Sequence, residues 1–126
     1  QVALLVLLAQ AGSFVPAEAM ALRPFDAVFA QCPGAAGPSA EVGAGASTFL
    51  LEMQDAAHLQ REATPRSLVL LDELGRSTGN AEGIAVAWAL AEDLLARGCS
   101  TVFATHFAAL QELRRLYPQC VVRQFR

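Results

Sequence analysis

Residues Leu68-Val69-Leu70-Leu71 form an unbroken apolar run that ends abruptly in Asp72-Glu73. A strand with one wet face alternates apolar with polar residues. A run without that alternation, bounded by Pro65 and Gly75, predicts a central strand buried on both faces. Such a strand needs a layer on each side, and the residues downstream supply the pieces. Asn80 can cap a helix from Ala81 to Arg97, with Gly98 at the C′ position where a left-handed residue closes a helix. Thr101-Val102-Phe103-Ala104 is a second apolar strand, ending at Thr105-His106. Two strands joined through one helix are what neighbouring parallel strands require. The expected fold is therefore α/β with a mostly parallel sheet flanked by helices.

The flanking segments fit that plan. Gln1 to about Gly12 is rich in Leu and Ala and predicts a buried helix that begins upstream of Gln1. Val2 to Leu8 has no basic region before it and is too short to span a bilayer, so neither a secretory signal nor a membrane span is expected. Ala27-Val28-Phe29-Ala30 reads as a short strand, and residues 32–46 (CPGAAGPSAEVGAGA) as a flexible loop. Ser47 stands where a helix N-cap belongs. The helix it opens carries Phe49, Met53, Ala56, Ala57 and Gln60 on one face and ends near Pro65. A short helix from Phe107 to about Leu116 and a last strand from Cys120 to Phe125 complete the reading. A sequence with 54% hydrophobic residues is able to bury a core, and its net charge of −3 gives no general nucleic-acid-binding surface. Four arginines near the end (Arg114, Arg115, Arg123, Arg126) read as a solvated face. Cys32, Cys99 and Cys120 are odd in number and widely spaced, which excludes a disulfide framework and suits a reducing compartment.

In an open parallel sheet the functional groups collect at the carboxyl ends of the strands, where Asp72, Glu73 and His106 fall. An Asp at a strand tip offers a hard oxygen ligand to Mg²⁺, and a Glu beside it can orient or deprotonate a water attacking a γ-phosphate. This is the Walker B arrangement. A bare hydrophobic run ending in Asp-Glu is also compatible with two solvated carboxylates, and His106 with a helix cap. Two such tips one crossover helix apart, facing one crevice, favour the chemical reading. Ser47, opening a helix after a Gly-rich stretch, presents a hydroxyl and free N–H groups where phosphate docks, although a plain N-cap uses the same geometry.

Three longer segments carry a family resemblance. SLVLLDELGRST (67–78), AEGIAVAWALAE (81–92) and FATHF (103–107) closely resemble the ATPase domain of the MutS family. QVALLVLLAQAGSFVPAE (1–18) and GASTFLLEM (45–53) are similar to family segments in the same order. The resemblance extends over nearly all 126 residues and implies an ABC-type P-loop NTPase fold, dimeric, using ATP and Mg²⁺. It further implies Asp72 as the Mg²⁺ ligand and Glu73 as the residue that activates water. His106 matches the switch histidine, and Ser47 the serine that reaches the other subunit's nucleotide. Gly75, Arg76, Ser77 and Thr78 match the loop through which the two sites communicate. The ending THFAALQELRRLYP (105–118) looks most like the meiosis-specific branch. The family resemblance implies a location in the nucleus if the protein is eukaryotic, or in the cytoplasm or nucleoid if bacterial.

One element of such a site is not in the sequence. The phosphate-binding loop needs a Lys reaching the β- and γ-phosphates, and all nine basic residues here are Arg. Residues 1–126 are thus expected to form a partial ATPase domain, incomplete at the phosphate-binding loop, with DNA contacted through other domains and a second family subunit as partner. The expected function is an ATPase half-site coupling hydrolysis to a DNA clamp in mismatch repair or meiotic crossover formation. The alternative is a non-catalytic dimerisation module that has lost ATP binding. An ABC-type ATPase of the structural-maintenance class would share the Asp-Glu strand end and the His, but not the FVPAE and STFLLEM segments.

Overall fold

A computed structural model of the protein describes residues 1–32 and 47–124. In order, the elements are α1 (Val2–Gln10), β1 (Val28–Gln31), α2 (Thr48–Glu62), β2 (Leu68–Asp72), α3 (Asn80–Arg97), β3 (Ser100–Ala104), a 3₁₀ helix (Ala108–Glu112) and α4 (Leu113–Leu116). The three strands form one sheet in the order β1-β2-β3, parallel throughout, with β2 central. Leu68 pairs with Val28 on one side and Ser100 on the other, and Leu71 with Gln31 and Phe103. The α/β parallel expectation holds for the described residues, and the small sheet is its extent there. The loop expected at 32–46 lies, apart from Cys32, outside the described residues.

Val69 and Leu71 are essentially buried, and they share a core with Ala56 and Leu59 of α2, Ala63, Leu74, and Leu90 and Leu94 of α3. Removing such side chains from water contributes about 1.5–3 kcal/mol each for the larger ones. A second cluster joins Ala87 and Ala91 of α3 to Phe107, Leu110 and Leu113, and fixes the segment after His106 against α3. Because α2 and α3 both contribute to the core on the Val69/Leu71 face, the other face is covered less. Leu68 is buried there, but Leu70 only partly, and its register neighbour Val102 is 52% exposed. The expectation of burial on both faces is met fully on one.

Several boundaries and faces differ from the sequence reading, each for a local reason. Helix α1 buries only Val6, and Leu4 and Leu7 are exposed, so it is an apolar helix packed along one narrow stripe and not a buried one. On α2 the inner stripe runs through Ala56 and Leu59 to Ala63, with Gln60 turned to solvent, because a helix advances about 100° per residue and Leu59 takes the place given to Gln60. Gly79, extended, occupies the N-cap of α3, and Asn80 is already in the first turn, with no side-chain cap bond at that end. Ser47 does cap α2, its hydroxyl accepting from Leu50 N–H at 3.2 Å, and Gly98 closes α3 in the left-handed region at φ 76°. Residues 107–116 divide into the 3₁₀ helix and the single turn of α4. No strand forms among the described residues after Tyr117, where the backbone from Cys120 to Gln124 has no strand partner.

At the amino ends of the strands, Asp26 ties β1 to β2. Its carboxylate accepts from the Thr64 hydroxyl at 2.5 Å and from the buried Ser67 hydroxyl at 2.8 Å, while Asp26 N–H donates to Arg66 C=O. Those hydrogen bonds, that of Thr64 first, hold the Asp26 carboxyl below its ordinary range. A lowered folded-state value means the tie is complete above the ordinary carboxylate range and is lost as pH falls through the lowered value.

At the carboxyl ends, Gly75 and Gly83 press backbone against backbone. A Cβ on Gly83 would lie 2.5 Å from Gly75 O and 2.9 Å from Phe107 Cζ. Helix propensity alone favours Ala over Gly inside a helix by about 1 kcal/mol, whereas overpacking against backbone costs about 1–3 kcal/mol. We expect Gly83→Ala to lower the denaturation midpoint, because neither the Gly75 carbonyl nor α3 can give way. A midpoint equal to or above wild type would show that propensity wins and that the close approach is not tight.

Candidate functional site

The site grows from the tips of β2 and β3. The last register pair is Asp72 with Ala104, and the ladder extends by one more bond, Glu73 N–H donating to Ala104 C=O at 3.0 Å. There β2 stops. Glu73 is the only non-glycine among the described residues with positive φ, at 57°. Left-handed backbone costs a residue with a Cβ roughly 1–2 kcal/mol, so something must hold it. Its C=O accepts from Arg76 N–H at 3.2 Å, closing a tight turn, and its carboxylate Oε2 lies 2.7 Å from His106 Nδ1. The turn swings the Glu73 carboxylate from the strand axis towards the end of β3, and His106 meets it there.

An ionised carboxylate only accepts, so the shared proton belongs on His106 Nδ1, and Nε2 is left with its lone pair or, in the protonated ring, a second N–H. The imidazole is about half exposed and the Glu73 side chain 30% exposed. Both groups are therefore reachable from solvent while fixing each other. Phe107, buried and tilted at 45° to the His106 ring with a centroid distance of 4.3 Å, backs the imidazole from the core side. The Thr105 hydroxyl accepts from Phe107 N–H at 3.1 Å and sets the backbone direction after β3. Asp72 is exposed at the tip of β2 beside this pair. A single exposed carboxylate fits Mg²⁺, which usually takes one or two carboxylates and completes its shell with water and phosphate oxygens. Among the described residues no group of three or more His, Cys, Asp or Glu is arranged to hold a metal without such help.

Gly75 to Thr78 follow directly. Gly75 is buried against Gly83 with φ 86°, while Arg76 and Ser77 are exposed. Glu52 of α2 reaches this loop, its carboxylate accepting from Gly75 N–H at 2.5 Å and from the Ser77 hydroxyl. Gln31, at the end of β1, donates from Nε2 to Glu52 C=O at 3.0 Å. Of the residues expected to matter, the fold brings Glu73 and His106 into contact, with Asp72 adjacent and the Gly75–Thr78 loop next in line. Ser47 stands apart from them at the start of α2, exposed, with its hydroxyl on Leu50 N–H. Glu52 was missed from the sequence. The signal there was a lone carboxylate between Leu51 and Met53, within the otherwise apolar opening of α2.

The protein matches the family model described as MutS domain V over residues 1–125. It is 48% identical over 119 residues to a DNA mismatch repair protein MutS from Thermotoga neapolitana, covering 94% of this sequence and 14% of that protein. It is 50% identical over 113 residues to a DNA mismatch repair protein MutS from Thermus thermophilus, covering 90% of this sequence and 13% of that protein. It thus spans about one-seventh of the length of the curated relatives it matches. These relatives are bacterial and bear the mismatch-repair name, which argues against the meiosis-specific branch suggested by residues 105–118 and against the nucleus. No helix among the described residues is long and apolar enough to cross a membrane.

The strained turn makes its own prediction. Glu73→Ala and Glu73→Gly both remove the carboxylate, but only Ala keeps a Cβ in the left-handed region. The Gly variant should therefore be the more stable of the two by about 1 kcal/mol, the backbone relief exceeding the extra conformational entropy of the unfolded state. Thermal unfolding of the pair reads this directly, and an Ala variant as stable as the Gly variant would contradict the turn geometry.

Proposed function

The protein belongs to the MutS family, and from that premise we propose that it forms the Walker B half of an ATPase site in a DNA mismatch repair protein. The observation that carries this reading is the 2.7 Å pairing of Glu73 with His106 at the carboxyl ends of adjacent parallel strands. Each member of the pair completes the other. Glu73 is held by a neutral or cationic donor that fixes one oxygen and leaves the other for a water. His106, fixed through Nδ1, presents Nε2 to a phosphate oxygen and is positioned to respond when that oxygen leaves. Asp72 would hold Mg²⁺, which when bound neutralises phosphate charge. The residue reaching the β- and γ-phosphates as a Lys comes from outside these 126 residues, which contain none. Arg76, Ser77 and Thr78, on the loop held by Gly75 against α3, face the neighbouring site, and Ser47 serves the second subunit's nucleotide.

ATP binding between two subunits would couple to DNA held by other parts of the protein, in keeping with the acidic balance of these residues. The alternative, a dimerisation module without catalysis, explains Ser47 as a plain cap. It leaves the Glu73 backbone strain and its His partner without a purpose, and strain of this kind concentrates at functional sites.

A mixed dimer of the full-length protein separates the two readings. One subunit carries Ser47→Arg together with Glu73→Gln, and the other is wild type. Glu73→Gln keeps size and loses the base, so the altered subunit's own hydrolysis should fall by about 10²-fold or more. If Ser47 acts across the interface, the wild-type subunit also loses turnover. A folded mixed dimer whose wild-type subunit hydrolyses ATP at its normal rate would reject the trans role. Glu73→Gln in both subunits with turnover within about threefold of wild type would reject the catalytic assignment.

A further inference from the structure

Glu52 belongs to none of the roles above, yet it joins the helix that Ser47 opens to the loop after β2. It lies on α2 five residues beyond the cap Ser47, about 7.5 Å along the helix axis. Both carboxylate oxygens are used on the loop after β2: Oε1 accepts from Gly75 N–H at 2.5 Å, and Oε2 from the Ser77 hydroxyl. Towards α3, Gly75 has no room to move. A Cβ there would meet Gly83 backbone at 2.7–2.8 Å, so the loop is gripped between the Glu52 carboxylate of α2 and the backbone of α3. Behind Glu52, the Gln31 amide donates to its backbone carbonyl at 3.0 Å, anchoring this turn of α2 to the end of β1. Two residues before Gly75 stands Glu73, whose left-handed turn is closed by Arg76 N–H from within the same loop.

We propose that Glu52 is a positioning residue for hydrolysis: it holds the Gly75–Ser77 backbone in the place that keeps the Glu73 turn closed and its carboxylate on His106. The inference rests on the reading of Glu73 as the catalytic carboxylate. A carboxylate that accepts two hydrogen bonds from one loop restrains both its position and its twist, which a single bond or an apolar contact does not. Freed from Glu52, the loop keeps its packing on Gly83 but loses the contact that fixes the Gly75 peptide, and the turn can relax out of the left-handed region. The effect falls on the alignment of Glu73, not on nucleotide affinity, so kcat drops while KM holds.

The test uses the full-length protein and compares Glu52→Gln, Glu52→Asp and Glu52→Ala with wild type and Glu73→Gln. Glutamine keeps the reach, accepting from Gly75 N–H through its amide oxygen and donating from its amide nitrogen to the Ser77 oxygen. Aspartate keeps the charge but falls one methylene short. We expect ATP turnover of Glu52→Gln within about threefold of wild type, and a fall in kcat of about tenfold or more for Glu52→Asp and Glu52→Ala with KM unchanged. Should Glu52→Ala fail to fold, the order of Gln and Asp still decides. Aspartate active and glutamine inactive would show that charge matters and not reach, and would overturn the proposal. All three variants near wild-type turnover, or a raised KM with kcat intact, would overturn it as well. Those outcomes bear on Glu52 alone so long as Glu73→Gln abolishes turnover; normal turnover in Glu73→Gln overturns both this inference and the reading beneath it.

Discussion

The hydrogen bond from Glu73 N–H to Ala104 C=O is the last rung of the β2–β3 ladder, and the site depends on where that rung falls. Parallel pairing fixes Asp72 opposite Ala104, so Glu73 follows one position beyond the last pair on β2 and His106 two positions beyond it on β3. A register shifted by one residue would turn every side chain of β2 to the other face, sending Val69 and Leu71 out of the core. The burial of those two residues therefore does more than stabilise the domain. It excludes the one-residue slips that would part the carboxylate and the imidazole, which in the observed register leave adjacent strands within hydrogen-bonding distance.

Around that pair the glycines and caps act as spacers whose value lies in what they exclude. Gly75 and Gly83 let the loop after β2 lie directly on α3, and Phe107 fills the volume that a side chain on Gly83 would need. The second hydrophobic cluster, built on Ala87, Ala91 and Phe107, then holds the backbone immediately after His106. Glu52 closes the assembly from the side of α2. The strain of roughly 1–2 kcal/mol stored at Glu73 is small against the burial of Leu71, Leu74 and Leu94, which explains how the turn persists.

The parallel strands were legible in the sequence because two short apolar runs, 68–71 and 101–104, are joined through one helix, and the gathering of Asp72, Glu73 and His106 at one edge of the sheet was legible because strand ends in such a sheet lie together. The direct contact between Glu73 and His106 was not, since it depends on a positive φ that no local residue preference announces; Glu is not a residue that favours it. Gln60 and Asn80 were each misplaced by one residue, Gln60 because the inner stripe was judged without its partner and Asn80 because the extended Gly79 takes the cap position. The expected strand at 120–125 was an apolar segment (Val121, Val122) with no neighbour to pair with among the described residues, and apolar character alone does not make a strand. Glu52 escaped because its partners are a backbone N–H and a hydroxyl more than 20 residues away.

The central claim is that Glu73 and His106 work as one unit, and a double-mutant cycle on ATP hydrolysis by the full-length protein tests it most directly. Glu73→Gln, His106→Ala and the double variant are compared with wild type for kcat. Residues that act through one hydrogen-bonded pair lose their effect together, so the double variant should be slowed about as much as the more severe single variant. Losses that multiply across the cycle would mean that the two residues act independently, and the account of the site built on their pairing would be wrong.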